Sequence, residues 1–473
     1  MLVLPPVSAN LVAQVVAAAL TVALTGVFVS IGSSIHRKTR AAKQLEPIPG
    51  PSGRFLLGFM PELAKNLQRI YDFQSELLSQ YDGRVKLPWN IFGANMVIVS
   101  DPKDVEHMLT TNMDNYIKSD HYIQSLGEIF GKTLIGTNHS HVADGGAMYR
   151  LQRKDGKVDM YLIASQFTLQ TIFDIDCGAP LESFDKDLGL QFVKSMDFVF
   201  EMFLLRLVTQ PYFKYFSWFM PSEYRFHRES KFMMSLVDSI LERRLGESEE
   251  EIAPRFDILS LFVKKARELK AEGASILDVP TLRAILTGTL FGGRDTTAST
   301  LHYCFYNLAQ YPEQQDKILE ELKSVDVNAL TFEDVKTLKY LDAFVWETLR
   351  LYPTVPTNFK QAAEDNYLPD GTFIPAGTEI TSGGEDQLVF RPERWLEMKT
   401  QPTAYEFPVF QGGPCICSGM NMALLETKIF IAMLLKKFHV KMQDGEQIKG
   451  RPYTFGATLV MEDGLPLQLT PRV

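Results

Sequence analysis

Cysteine is scarce: Cys177, Cys304, Cys415 and Cys417 are the whole complement of 473 residues. Four thiols so placed form no disulfide framework, and they fit a reducing compartment. An excess of basic side chains is also missing. The 48 Lys and Arg stand against 57 Asp and Glu, a formal net charge of -9. That balance argues against nucleic acid as a partner, because a phosphate backbone attracts clustered Lys and Arg. No internal repeat, long low-complexity tract or shift of composition marks a second domain after residue 53. What remains, 45% hydrophobic and 22% charged, is the composition of an ordinary folded protein with ample core.

Charge is absent altogether from Met1 to Ile35, and Leu11 to Ile31 is mostly Val, Ala, Leu and Ile, about the length a helix needs to cross a bilayer. The basic run His36-Arg37-Lys38-Thr39-Arg40 follows at once, so the positive-inside bias keeps the remaining chain on the cytosolic side. A cleaved signal peptide would need a basic residue before the apolar run and a small-residue cleavage site after it. The expectation is therefore a single-pass anchor over 1–35. A basic and proline-rich hinge follows over 36–53, stiffened by Pro47, Pro49 and Pro51, and then one globular domain over 54–473.

That domain is organised around Phe410 to Gly419, FQGGPCICSG, which leads into MNMALLETKIFIAMLLKKF with apolar residues at Met422, Leu425, Ile429 and Met433. The spacing predicts a helix. Cys417 then stands just before a helix N-terminus, where unpaired N–H groups and the helix dipole favour a thiolate, a metal ligand. A lone cysteine is more often a small buried hydrophobe. Zinc would need a second Cys pair or a nearby His pair, and neither is present. Gly412, Gly413 and Gly419 allow sharp turning and close approach of a flat group, against which Phe410 would pack. Together these features suggest haem iron held by one cysteine.

Thr281 to Gln310 reads as a long buried helix ending before Pro312. Inside it, Gly292-Gly293-Arg294-Asp295-Thr296-Thr297 places two glycines, an acid and a hydroxyl where helix propensity and burial oppose them. Such local faults persist mainly where function needs them, although a glycine kink beside a satisfied Asp is a common structural outcome. Further on, Leu341 to Leu351 puts Glu347 and Arg350 at i,i+3 among apolar neighbours, with Arg394 of Phe390-Arg391-Pro392-Glu393-Arg394-Trp395 as a third member. Partial burial would oblige these charges to pair. Leu368 to Thr378 reads as strand, turn, strand with Asp370-Gly371 at the bend. His139 and His141, without further ligands, read as polar loop residues.

These stretches resemble the cytochrome P450 monooxygenases. Phe410, Gly413, Cys417 and Gly419 match the haem-binding loop; Gly292 to Thr297 matches the oxygen-activation motif; Glu347, Arg350 and Arg394 match the salt-bridged triad. The resemblance implies a mainly α fold with small β-sheets, preceded by one transmembrane helix, and makes 54–473 a haem-thiolate catalytic domain. It implies haem b with Cys417 as axial ligand to the metal, Asp295 and Thr296 as catalytic residues, and Phe410, Gly413 and Gly419 around the cofactor. Tyr149 and Arg153 match a W-x-x-x-R pair that reaches a haem propionate, with Tyr in place of Trp. Cys415 stands where the family has an Arg for the other propionate contact. The chain is also shorter than the pattern near 154–160 and 381–388.

From Ala284 to the C-terminus, ETLRLYPTVPTNFKQA, LPDGTFIPAGT, FRPERW and PLQLTPR are closest to the fatty-acid omega-hydroxylase branch. That likeness implies terminal hydroxylation of long-chain fatty acids with dioxygen and NADPH electrons from the NADPH-cytochrome P450 reductase. The enzyme would sit at the endoplasmic reticulum bilayer, with Phe291 and Thr354-Val355-Pro356 lining the chamber. Two other readings stay open: a non-catalytic relative that holds haem poorly, and a haem-thiolate isomerase or dehydratase, which the Asp295-Thr296 pair argues against.

Overall fold

The computed structural model describes residues 25, 29–30, 32–54, 57–88, 94–119, 156–178, 186–209, 219–273, 277–327, 329–382, 389–443, 453–454 and 458–472. Its axis is the helix Val279–Gln310, opened by Asp278, whose side chain accepts from the N–H of Thr281 at 2.9 Å. At 1.5 Å per residue this central helix is roughly 48 Å long. It runs through two cores. Leu286, Leu290 and Phe291 of its first half lie among Phe173, Phe192, Phe226 and Val237, from the helices Met160–Cys177, Lys186–Thr209 and Pro221–Gly246. Ala298, Leu301, Phe305 and Leu308 of its second half pack against Phe344 of the helix Lys339–Leu351 and against Phe430, Ile431 and Leu434 of the helix Met420–Lys437. The glycine-acid stretch falls between the two cores.

Period-2 segments build small sheets at the margins. The largest has the order Arg84–Leu87, Met96–Val99, Glu379–Ser382, Asn358–Ala362, Tyr116–Ile117. Only the Met96–Val99 to Glu379–Ser382 pairing is parallel. Thr381 and Ser382, read from sequence as the start of a shortened loop, are paired strand residues; 383–388 lie outside the described residues. Asn366–Tyr367 pairs with Phe373–Ile374 around Asp370-Gly371, where Gly371 takes φ +86. The strand Pro466–Pro471 lies between Lys157–Asp159 and Phe438–Met442. The fold is mainly helical with small sheets, as expected.

The proline-rich stretch is docked onto the globule. Leu45 and Ile48 are buried with Val97, Val99, Ile374 and Ile380, and Lys86 donates to the carbonyls of Leu45 and Glu46 at 3.0 and 3.1 Å. Glu62 to Gln80, which reads as one helical stretch, is broken into Met60–Lys65, a turn at Leu67–Arg69, and Ile70–Gln80. Among the described residues no helix is long and apolar enough to cross a membrane. Nearly all of Leu11 to Ile31 lies outside them, as do Tyr149 and Arg153.

Candidate functional site

Glu347 is fully buried, so its charge must be met from within the protein. Five donors meet it. Arg350 gives Nε to Oε2 at 2.9 Å and Nη2 to Oε1 at 3.0 Å. Arg394 gives Nε to Oε1 at 3.0 Å. The backbone N–H of Arg391 and the indole N–H of Trp395 complete the set at 2.7 and 2.9 Å. Both arginines also donate to the carbonyl of Val389. Sequence spacing brings out the three charged members; the indole and the amide become partners only when the helix Glu393–Glu397 folds against Lys339–Leu351.

This hub carries the cysteine loop through aromatic contacts. Trp395 lies 5.1 Å from Phe407 and Trp346 lies 5.8 Å from Phe410, ring centre to ring centre. Phe410 therefore packs against the core with its ring perpendicular to that of Trp346, and its carbonyl accepts from the N–H of Cys417 at 2.8 Å. Gly413 is required by the turn: at φ +59 a Cβ would fall 2.2 Å from Thr110 Oγ1 and 2.7 Å from the carbonyl of Leu109. Asn358 holds Gln411, two residues before Gly413, by donating to its Oε1 at 2.6 Å.

Cys417 is exposed although the loop around it is packed, and Gly419 is the N-cap of the helix Met420–Lys437. The N–H groups of Gly419 and Met420 pull its thiol pKa down, but burial by surrounding atoms outweighs them and pushes it up. Without a cation on the sulfur, the helix N-terminus does not by itself make the thiolate expected from sequence.

The two adjacent glycines, Gly292 and Gly293, have different jobs. A Cβ on Gly293 would lie 2.4 Å from Ile172 Cδ1, so this residue is fixed by the approach of Met160–Cys177, whereas a Cβ on Gly292 would meet nothing within 4 Å. Of this pair, Gly292 is the one that leaves its backbone open. Its carbonyl accepts from Thr296 Oγ1 at 2.6 Å, one turn on. Asp295 is paired with Arg294, Nη1 to Oδ1 at 2.8 Å, and burial raises its carboxyl to about 6 against the pull of that guanidinium. Phe291 is buried against Phe200 at 5.1 Å, and Thr354 hydrogen-bonds Thr300 at 3.0 Å. Met422, on the first turn of the helix after Cys417, packs onto the cluster that also holds Phe291.

Whether these residues suit a haem turns on donor and counter-charge. Cys417, exposed and facing backbone amides, is a soft ligand of the right kind. The two haem carboxylates need cations. Cys415 supplies none; it is exposed, with Met113 Sδ at 3.8 Å. A substitute that sequence reasoning misses lies beside it. Tyr116 and Ile117 pair with Ala362 and Gln361, which brings Lys118, just past the strand, within electrostatic reach of Lys360. The Lys360 charge joins burial in pushing the Lys118 ammonium down, while Cys415 acts the other way. Like charges within reach of one another repel, and an anion between them relieves that repulsion. The residues present fit the group.

Replacing Glu347 by Gln leaves both guanidiniums without their buried counter-charge. Unfolding free energy should fall by about 3–5 kcal/mol in chemical denaturation. A loss under about 1 kcal/mol, the scale of an exposed pair, would show that the hub does not hold this part of the fold.

Residues 146–467 match the family described as Cytochrome P450. Cytochrome P450 CYP94D108 of Paris polyphylla is 27% identical, over 88% of this chain and 91% of its own length. Cytochrome P450 86B1 of Arabidopsis thaliana is 26% identical over 88% and 85% of the two chains. Cytochrome P450 monooxygenase pvhE of Talaromyces variabilis is 26% identical over 86% of each. The family holds haem iron through a cysteine thiolate and draws electrons from a redox partner. The chain belongs to the cytochrome P450 family and is an oxidoreductase, a monooxygenase.

Proposed function

We propose that the protein is a membrane-anchored haem-thiolate monooxygenase that hydroxylates the terminal carbon of long-chain fatty acids or related lipids. The observation that carries the haem-thiolate part is the exposed Cys417 at the head of Met420–Lys437, on a loop fixed by the aromatic contacts to the Glu347 hub. The finer substrate assignment is supported by the likeness of LPDGTFIPAGT, FRPERW and the Cys417 stretch to the omega-hydroxylase branch. The uncharged Met1 to Ile35, followed by basic residues, supports a single-pass anchor in the endoplasmic reticulum with 54–473 in the cytosol. That placement suits a substrate dissolved in lipid.

Cys417 would hold the iron, and Lys118 and Lys360 would meet the haem carboxylates, with Phe410, Gly413 and Gly419 shaping the loop. Tyr149 and Arg153 are proposed as further carboxylate partners. When bound, the haem supplies insertion of one atom of dioxygen into a C–H bond. The other atom leaves as water, with a pair of electrons from NADPH through its cytochrome P450 reductase and a pair of protons. The chain manages the protons. Asp295 is the acid beside the open Gly292 backbone, and Thr296 directs its hydroxyl along that backbone.

The test is product analysis with haem-loaded protein, reductase, NADPH and a series of long-chain fatty acids. Hydroxylation at the terminal carbon, abolished in Cys417→Ser and lowered relative to NADPH consumed in Thr296→Ala, is the expected result. Exclusive mid-chain products would remove the omega assignment. A second reading, a relative that retains haem poorly, is favoured by Cys415. If it holds, Cys415→Arg raises haem per protein; unchanged content removes it.

A further inference from the structure

Arg294 occupies the unspecified position of the oxygen-activation motif, and almost none of it is exposed. The same nitrogen, Nη1, lies 2.8 Å from Asp295 Oδ1 and 2.5 Å from Asp197 Oδ1. Asp197 belongs to the helix Lys186–Thr209 and is 44% exposed. One buried guanidinium nitrogen is therefore shared between an inner carboxylate on the central helix and an outer one open to solvent. A shared donor couples its acceptors, because each carboxylate weakens the hold of the cation on the other.

We propose that Arg294 and Asp197 are positioning residues for the acid Asp295: outer Asp197 competes for the guanidinium, so the proton occupancy of Asp295 is set from the neighbouring helix. The proposal rests on Asp295 as the acid of the monooxygenase, and goes beyond that reading by assigning residues that govern it.

The signs follow from the groups around the acid. Arg294 favours ionised Asp295 and Asp197 opposes it, with burial the largest effect, and the balance stands at about 6. Tyr161, from the helix Met160–Cys177, also faces this cluster. Its phenol is pushed up to about 12, chiefly by burial, and stays neutral throughout the relevant range. Removing the Asp197 charge leaves the guanidinium to Asp295 alone and lowers its pKa. Removing the Arg294 charge leaves two acids without their cation and raises it. A purely structural role would not separate the two in sign.

The experiment is an infrared titration of the carboxyl band on purified full-length protein, the Asp295 signal being identified by subtraction of Asp295→Asn. Wild type should titrate with a midpoint near 6, Asp197→Asn below wild type, and Arg294→Met above it. The shift in Asp197→Asn should be the smaller, because solvent screens an exposed carboxylate. Arg294→Lys, which keeps a cation, should return toward wild type. Asp197 is partly exposed, so that variant decides the matter even where Arg294→Met does not fold. A midpoint unmoved in Asp197→Asn, or moved upward, overturns the proposal. So does Arg294→Met moving downward. The readout needs no turnover: failure of the omega assignment leaves the titration intact, and failure of the titration leaves the product analysis intact.

Discussion

A buried carboxylate with five donors is the constraint on which the rest depends. Glu347 is paired in the interior by Arg350 and Arg394; Arg350 reaches it from the same helix, but Arg394 cannot approach it unless Glu393–Glu397 folds against Lys339–Leu351. That docking brings Trp395 beside Trp346 and sets the aromatic seat for Phe407 and Phe410. Cys417 is then held by the carbonyl of Phe410. Electrostatics fixes the scaffold, ring packing transmits it, and the cysteine loop is its end point.

The central helix imposes the second constraint. It belongs to two cores at once, and its glycine-acid stretch lies where one gives way to the other. Gly293 allows Ile172 to approach, while Gly292 leaves its backbone open. A motif that reads as a single device for accommodating a ligand thus divides into a packing residue and an exposed one. Asp295 has its charge partner in the adjacent Arg294, which answers how an acid is tolerated at this depth.

Local chemistry made much of this legible. The i,i+3 pair Glu347 and Arg350 meets on one face, and Asp370-Gly371 forms the bend between two paired strands. The apolar stripe of Met420–Lys437 was only partly visible: Leu425, Ile429 and Met433 form one small cluster, but Phe430, Ile431, Leu434 and Leu435 bury the other side in the main core. What could not be read depends on pairings distant in sequence. Lys118 comes within reach of Lys360 through strand pairing, Asp197 reaches Arg294 across helices, and Leu45 and Ile48 tie the hinge to a sheet. No periodicity within one segment encodes such contacts.

The central claim is that this scaffold presents Cys417 as the thiolate ligand of haem iron. The spectrum of the reduced, carbon-monoxide-bound protein tests it most directly, recorded for wild type and Cys417→Ser after expression with ample haem. A red-shifted, thiolate-type Soret band in wild type, lost in Cys417→Ser, is the predicted result. A wild type that binds haem without that band, or a Cys417→Ser protein that retains it, would contradict the account.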